Sequence, residues 1–526
     1  MTRRRLVRVA GILLILAIVA AFPGPGPLAQ ALEGKVKRIT LDNGMRFLVV
    51  RRGTAPVFAA NLRFRVGSVD DPGGESGLAH LFEHLAFKGT STIGTRDAKQ
   101  EAELLDAMDK AAIDLLREED RGDAADPKRV EALRADLETL TKKLQELTVK
   151  DEFSQILTGN GAAGLNASTS TDLTSYVVAL PANRLELWCL LESARLRDPV
   201  LREFYSERDV VMEERRMRID NQPQGKLYEQ LLLSAFQAHP YRVPTVGWMS
   251  DLEHLTRPQA AEFRRGFYAP NNAVATLVGD IDPAAAERLI RLYFDALPAG
   301  PPPRPPVTTE PPQTGERRAV VEFDAGPELM IAFHKAVWPS PDDPVLQVID
   351  SLLTSGRTSR LFRRLVLTTQ VASDVYSAQA PGDRYPNLFV IGASPRAPHT
   401  SAEVETAILQ ELARLSAETV PERELQKVKN QLQASFLYPL RSNPGLAEQL
   451  SYYEILTGDW KNLDVYATAL QATTAAQVQD AARRTFVPSN RTVAVLERPS
   501  AGGGKAGAAG DEGTAITPAA SPGAIR

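Results

Sequence analysis

The sequence predicts an α+β protein with two duplicated domains, each a mostly antiparallel sheet with packed helices, plus an inserted helical hairpin. Three observations support this fold class. Alternating apolar residues near the start predict strands, leucine-rich segments with steps of three and four predict helices, and a short pattern recurs about 218 residues along the chain. A chain of 526 residues is also too long for a single hydrophobic core.

The first structural elements follow from local patterns. Apolar residues alternate through residues 35–66, and Asp42-Asn43-Gly44 interrupts them with a strong hairpin signal. Residues 77–87 are apolar on nearly every side, which is typical of a buried helix. We therefore expect a strand hairpin, a further strand and then a short buried helix.

Residues 98–150 are rich in charge, and their leucines follow a coiled-coil spacing. Asp126 followed by Pro127 is a good N-cap and first helical residue for a second helix. The segment predicts an antiparallel helical hairpin that is inserted into the first domain and projects from it.

A proline-rich segment, residues 298–312, predicts an extended linker between the two domains. Arg264-Arg265-Gly266-Phe267 has a counterpart in Arg483-Arg484-Thr485-Phe486, and a proline and an asparagine follow each. The offset is 219 residues at the arginines (264 to 483) and 218 at the prolines (270 to 488), which suggests that one residue was lost. We expect an N-terminal domain at 32–297 and a homologous C-terminal domain at 313–498.

The two ends of the sequence have distinct compositions. Arginines precede an apolar run from Val9 to Phe22, and Ala29-Gln30-Ala31 follows, so residues 1–31 predict a signal peptide cleaved after Ala31 and a periplasmic or secreted protein. The alternative is an uncleaved membrane anchor, although the run is shorter than the roughly 20 residues that span a bilayer. Residues 499–526 contain almost no large apolar residue and predict a disordered tail.

The overall composition excludes some classes of function. The formal net charge is −4, whereas a nucleic-acid-binding protein usually has a basic surface. The single cysteine, Cys189, cannot form an internal disulfide.

The pattern that predicts a catalytic site consists of His80, Glu83 and His84. On a helix, histidines four residues apart lie on one face and can bind one cation, with Glu83 beside them. A catalytic zinc keeps one position open for water, and a neighbouring carboxylate can take a proton from that water. The alternative, two histidines unrelated to a metal, would leave polar rings on an apolar helix, which costs free energy.

His80 to His84 matches the H-x-x-E-H motif of the inverzincins, and the chain resembles the M16 family of pitrilysin, insulin-degrading enzyme and mitochondrial processing peptidase. The resemblance implies a Zn²⁺ cofactor and a third ligand, Glu214, from the pattern E-x-x-V-x-x-x-E. It also implies that Glu207 orients a ligating histidine without binding the metal itself. Glu213 is the rival for the ligand position, about 100° away around the helix.

Residues 166–176 resemble the N-A-x-T-x-x-x-x-T-x-Y strand with which the family binds substrate. An extended peptide would pair with the exposed edge of this strand, and Asn166 and Ala167 would hold the residues that flank the scissile bond. The alternative is an ordinary threonine-rich strand.

The resemblance fails at one place. Active members of the family carry an Arg and a Tyr seven residues apart in their later half, and the alignment puts Val366 and Ser373 at these positions, with Tyr376 three residues late. We therefore expect a dimer, either of two identical chains or with a homologous subunit that supplies the missing pair.

Together these observations predict an exported zinc metalloendopeptidase that hydrolyses peptides with a metal-activated water, as half of a dimeric clamshell. The alternative is a non-catalytic homologue that acts as a binding or assembly subunit.

Overall fold

The computed structural model describes residues 32, 34–53 and 55–499. The predicted signal peptide and nearly all of the predicted tail lie outside these residues. Within the described part of the chain, no helix combines the length and the apolar character that crossing a membrane requires.

The first sheet has six strands in the order β1-β2-β6-β3-β5-β4. Only β2 and β6 pair in parallel; the other neighbours are antiparallel. The β1–β2 hairpin turns at Gly44, whose φ of +84° suits glycine. The strands are β1 (Val36–Thr40), β2 (Arg46–Arg51), β3 (Val57–Phe64), β4 (Ala163–Thr169), β5 (Thr174–Pro181) and β6 (Ala273–Gly279).

The second sheet has five strands in the order β7-β11-β8-β10-β9, and again one pair, β7 with β11, is parallel. Its order reproduces β2-β6-β3-β5-β4 of the first sheet, strand for strand. The predicted α+β class with two similar, mostly antiparallel units is therefore confirmed. The strands are β7 (Arg317–Glu322), β8 (Glu328–Lys335), β9 (Ala372–Ala380), β10 (Asn387–Pro395) and β11 (Arg491–Glu497).

Sixteen α-helices in the described residues surround the two sheets. Those before the proline-rich segment are α1 (Leu78–Leu85), α2 (Ala98–Glu119), α3 (Pro127–Leu147), α4 (Glu152–Gly159), α5 (Leu185–Arg197), α6 (Phe204–Arg215), α7 (Pro223–Ala235), α8 (Met249–His254), α9 (Arg257–Phe267) and α10 (Pro283–Phe294). Those after it are α11 (Asp342–Thr354), α12 (Ser401–Ala417), α13 (Glu422–Leu437), α14 (Asn443–Thr457), α15 (Asn462–Ala472) and α16 (Ala475–Thr485). Residues 298–314 form no helix or strand.

The repeated pattern corresponds to a helix, a short turn and a strand. In the first half α9 leads through the turn Pro270–Asn272 into β6, and in the second half α16 leads through Pro488–Asn490 into β11. All three elements are offset by the same 218 residues (257 to 475, 270 to 488, 273 to 491). No residue is lost, and the offset of 219 arises because the arginines stand one position apart on the two helices.

The two halves exchange a helix. Helix α7 of the first half lays Leu227 and Leu231 on the outer face of the second sheet, against Met330 and Ala494. Helix α14 of the second half lays apolar residues on the outer face of the first sheet, in a cluster of Leu48, Val50, Val278, Leu446, Ala447 and Leu450. Each sheet therefore has its own half's helices on one face and the other half's helix on the opposite face.

The hairpin of α2 and α3 is anchored at its base rather than only projecting. Arg202, whose side chain is 2% exposed, forms a bidentate pair with Glu101 of α2 at 2.7 and 2.8 Å. The same guanidinium donates to the backbone carbonyls of Lys88, Thr90 and Ile93 in the loop after α1. Arg202 thus ties the hairpin to the end of the short buried helix.

Candidate metal centre

Helix α1 is fixed by its apolar side chains and by an unusual cap. Leu78, Leu81 and Leu85 are fully buried in the first core. Gly77 has no side chain to cap the helix, and Asp71 replaces it by accepting hydrogen bonds from the backbone N–H groups of Gly77 (2.8 Å) and Ala79 (2.9 Å). The helix therefore begins at a defined residue and holds its histidines at a fixed rotation.

His80, His84 and Glu214 lie together, although 130 residues separate the second histidine from the glutamate (84 to 214). Glu214 Oε2, on α6, is 3.6 Å from His80 Nε2 and also 3.6 Å from His84 Nε2. The two imidazole rings are 5.0 Å apart with an angle of 79° between their planes. Three donor atoms from two helices thus face one point.

This spacing fits a zinc ion better than a hydrogen-bonded cluster. Distances of 3.6 Å exceed those of N–H···O hydrogen bonds. Ligands of a tetrahedral zinc, with bonds of about 2.0–2.1 Å, stand about 3.4 Å apart. The donor set of two imidazoles and one carboxylate is one that zinc accepts.

The two candidate glutamates, Glu213 and Glu214, differ in how exposed their side chains are. The Glu214 side chain is 13% exposed and faces the histidines, whereas the Glu213 side chain is 58% exposed and pairs with Arg216 at 3.0 Å. The structure therefore brings Glu214, and not Glu213, to the two imidazoles.

Glu207 lies behind His84. Its Oε2 atom is 3.3 Å from His84 Nδ1, and its Oε1 atom accepts from Lys88 Nζ at 2.6 Å. Burial opposes ionisation of Glu207, but the hydrogen bonds from His84 and Lys88 outweigh it and lower the pKa of Glu207 to about 2. Burial opposes protonation of His84, and the bond to Glu207 together with Glu214 outweighs it and raises the pKa of His84. The carboxylate fixes which nitrogen of His84 faces Glu214.

Glu83 lies next to this group without belonging to it. Burial raises the pKa of its carboxyl above the usual range, partly offset by a hydrogen bond from the Thr169 side chain and by His84. Burial, with His84 and Arg218 adding to it, lowers the pKa of His80 to about 3, so His80 is neutral at ordinary pH. Both states suit a base beside a metal ligand.

Strand β4 forms one wall of the site. It is an edge strand that pairs only with β5 in the described sheet, with Asn166 opposite Val177 and Ala167 opposite Tyr176. A cleft of about 360 Å³ connects it to the centre, lined among others by Glu83, His84, Lys88, Asn166, Ala167 and Glu207. The candidate ligands His80, His84 and Glu214 therefore lie in one region with the other candidate site residues of the first half, which are Glu83, Asn166, Ala167 and Glu207.

The second half presents nothing comparable at the two aligned positions. Val366 packs against the second hydrophobic core, and the Ser373 hydroxyl donates to the carbonyl of Ser394 on the neighbouring strand. The side chain of Tyr376 is exposed on β9, the edge strand of the second sheet. Neither Val366 nor Ser373 supplies a cation or a phenol.

Three residues that support the site were not singled out from the sequence: Lys88 beside Glu207, Asp71 at the start of α1 and Thr169 beside Glu83. Only Lys88 had a local signal, because it follows His84 by four residues. The other two become visible only when the chain is folded.

Comparisons with known proteins identify related peptidases. A family model described as Insulinase (Peptidase family M16) matches residues 46–117, and one described as Peptidase M16 inactive domain matches residues 254–432. The zinc protease PqqE of Helicobacter pylori is 27% identical over 453 residues, which cover 83% of this chain and 87% of that protein. An uncharacterized zinc protease of Mycobacterium leprae is 25% identical over 468 residues, covering 86% and 90%.

Solved structures have the same fold. A protease from Helicobacter pylori matches with a TM-score of 0.73 and 25% identity, over 88% of this chain and 99% of that one. The periplasmic protease PqqL from Escherichia coli matches with a TM-score of 0.63 and 16% identity, over 91% of this chain but 48% of that one. With both family models matched and relatives similar over most of their length, the chain belongs to the M16 peptidase family.

Proposed function

We propose that this protein is an exported zinc metalloendopeptidase, with His80, His84 and Glu214 as metal ligands and Glu83 as the base. The observation that carries the proposal is the convergence of three ligand atoms from two helices, with Glu214 Oε2 at 3.6 Å from each imidazole. The names of the relatives, zinc proteases in two genera, support the choice of metal.

Zinc, when bound, supplies the Lewis acidity that lowers the pKa of a water molecule and polarises a peptide carbonyl. Glu83 takes the proton of the attacking water and returns it to the leaving amine. Its buried position, which raises the pKa of its carboxyl, makes it a better base than an exposed glutamate. Glu207 keeps the imidazole of His84 in one tautomer, and Lys88 holds Glu207 in place.

The substrate is an extended peptide in this proposal. Strand β4 offers an edge beside the base, and Asn166 and Ala167 line the same cleft as Glu83 and His84. A peptide added to this edge would gain backbone hydrogen bonds regardless of its sequence. Asn166 and Ala167 would then hold the residues on either side of the scissile bond.

We also propose that the protein acts as half of a dimeric clamshell, with either a second copy or a homologous subunit. Two observations support it. The chain corresponds to about half of PqqL, with 48% of that chain covered. Val366 and Ser373 stand where the resemblance expects an arginine and a tyrosine. The N-terminal sequence pattern, and the description of PqqL as periplasmic, support export.

A second candidate function is that of a non-catalytic binding or assembly subunit. The match of residues 254–432 to a family model described as an inactive domain favours it. That match lies entirely outside His80, Glu83 and His84, which fall within the region matched by the insulinase model. We therefore prefer catalysis by the first half of the chain.

The test compares wild-type protein with Glu83→Gln and with the control Glu213→Gln, whose exposed side chain points away from the histidines. Zinc content is measured first, then hydrolysis of a mixed peptide library, each with and without a coexpressed homologous subunit. We expect one zinc per chain in all three proteins and loss of hydrolysis only in Glu83→Gln. Zinc without hydrolysis in any combination would favour the non-catalytic subunit, and no zinc would refute both the metal site and the mechanism.

A further inference from the structure

The two carboxylate oxygens of Glu214 face different groups. Oε2 faces the two histidines, and Oε1 forms an ion pair with Arg218 Nη1 at 2.7 Å. The side chain of Arg218 is 71% exposed, so this guanidinium touches the metal site from the solvent side. A permanent positive charge is thus present at the open face of the centre.

The backbone of Arg218 is held firmly, whereas its side chain is exposed and contacts only Glu214 among the ion pairs of the described residues. The residue lies in a π-helical turn, Arg216–Asp220, that continues α6. The next helix packs directly on this turn, because a Cβ atom at Gly225 would collide with the carbonyl oxygen of Arg218. Short π-helical segments often occur at functional sites, and here the turn directs an exposed guanidinium back toward Glu214.

Arg218 lies close to all three candidate ligands. Its Nη1 atom is 2.7 Å from Glu214 Oε1, and Oε2 of the same carboxylate is 3.6 Å from Nε2 of each histidine. The other neighbouring cation, Lys88, is already bound to Glu203 and Glu207 on the far side of His84.

Peptide hydrolysis creates a need for such a charge. Water adds to the carbonyl carbon, its proton passes to Glu83, and the carbonyl π electrons move onto the oxygen. The C–N bond then breaks as its nitrogen receives the proton. Hydrogen-bond donors aimed at that oxygen stabilise the negative charge that develops there, and removing one typically costs about 10²–10³ in kcat.

We propose, on the basis of the function proposed above, that Arg218 is a catalytic residue whose guanidinium moves from Glu214 Oε1 to the carbonyl oxygen of the scissile bond. Only the side chain has to rotate, and its exposure leaves it free to do so. The proposal assigns the first half of the chain its own donor for the developing charge.

The competing explanation is that Arg218 only positions Glu214. In that case removing it would weaken zinc binding, and any loss of activity would follow the loss of metal. A donor to the carbonyl oxygen acts chiefly in the transition state, so removing it lowers kcat and leaves KM and zinc affinity nearly unchanged.

The experiment compares Arg218→Ala and Arg218→Lys with the control Arg216→Ala. Arg216 lies in the same turn but pairs with Glu213, away from the histidines. Three quantities are measured: the zinc dissociation constant by chelator competition, kcat and KM on a peptide substrate, and the affinity of the zinc-loaded protein for a phosphinic peptide. The phosphinic group is a tetrahedral anion, so its binding reports on the transition-state charge without requiring turnover.

For Arg218→Ala we expect kcat and phosphinic-peptide affinity to fall together by about 100-fold, with KM and the zinc dissociation constant within about threefold of wild type. Arg218→Lys should recover part of the loss, and Arg216→Ala should match wild type. Unchanged phosphinic-peptide affinity, or a loss that only parallels the loss of zinc, would overturn the proposal. Failure of the proposed function would be recognised separately, by equal rates of wild type and Glu83→Gln, and the phosphinic-peptide comparison would still decide the role of Arg218.

Discussion

Replacing Glu207 by glutamine should weaken zinc binding about 10-fold to 100-fold. Glu207 lies between two cations or potential cations, at 3.3 Å from His84 Nδ1 and 2.6 Å from Lys88 Nζ. Glutamine keeps the shape and can still accept one hydrogen bond, but it removes the charge that makes the imidazole a better donor to metal. Changes of this kind behind a ligating histidine cost about 10–100-fold in affinity, or about 1.4–2.7 kcal/mol.

The assay is competition for zinc against a chromophoric chelator, with circular dichroism to verify the fold. Glu213→Gln is the matched control, because it makes the same chemical change on the same helix at an exposed position. Its zinc affinity should equal that of wild type. Equal affinities of Glu207→Gln and wild type, or equal losses in the two variants, would refute the reasoning.

Three further predictions concern stability. Leu450→Ala, at the exchanged helix, should lower the free energy of unfolding by about 2–5 kcal/mol in urea unfolding, whereas Leu292→Ala at a 69% exposed position should change it by less than about 0.5 kcal/mol. Glu101→Ala should leave the charge of Arg202 buried and unpaired, at a cost of about 3–5 kcal/mol, and faster proteolysis of the hairpin than in wild type would reveal it. Burial raises the pKa of the Asp350 carboxyl to about 6. The folded protein therefore binds a proton at this carboxyl more tightly than the unfolded chain does. The stability that this proton binding contributes is lost as pH rises from about 4 to 6. Asp350→Asn should therefore lose less stability than wild type between pH 4 and 7 in urea unfolding, and identical pH profiles would contradict this.

The parts of the fold that the sequence predicts are those determined by neighbouring residues. The turn at Gly44 and the cap formed by Asp126, which accepts from the N–H of Lys128, are local and appear as expected. The spacing of His80 and His84 also needs only one helix. In each case the signal and the structure lie within a few residues of each other.

For features that depend on distant residues, the sequence left a few alternatives that only the folded structure distinguishes. Glu213 and Glu214 are adjacent in sequence, and only the packing of α6 determines which one turns toward α1. Likewise the repeat was visible from its arginines, but their positions on α9 and α16 differ by one residue, so they gave the wrong offset. Asp71 and Thr169 have no pattern of their own, since each acts through a contact made after folding.

The exchange of helices could not be predicted from the sequence, and it gives the second half a structural role beside the site. Helix α7 follows directly after the turn that carries Arg218, and the second sheet holds it through Leu227 and Leu231. At the other end of the site, Asp70 forms an ion pair at 2.7 Å with Arg384 of the second half, next to the residue that caps α1. Contacts with the second half therefore reach both the start of the histidine helix and the end of the glutamate helix. The second half, which contains most of the region matched by the model described as an inactive domain, thus belongs to the frame of the candidate metal centre, although none of the proposed ligands comes from it.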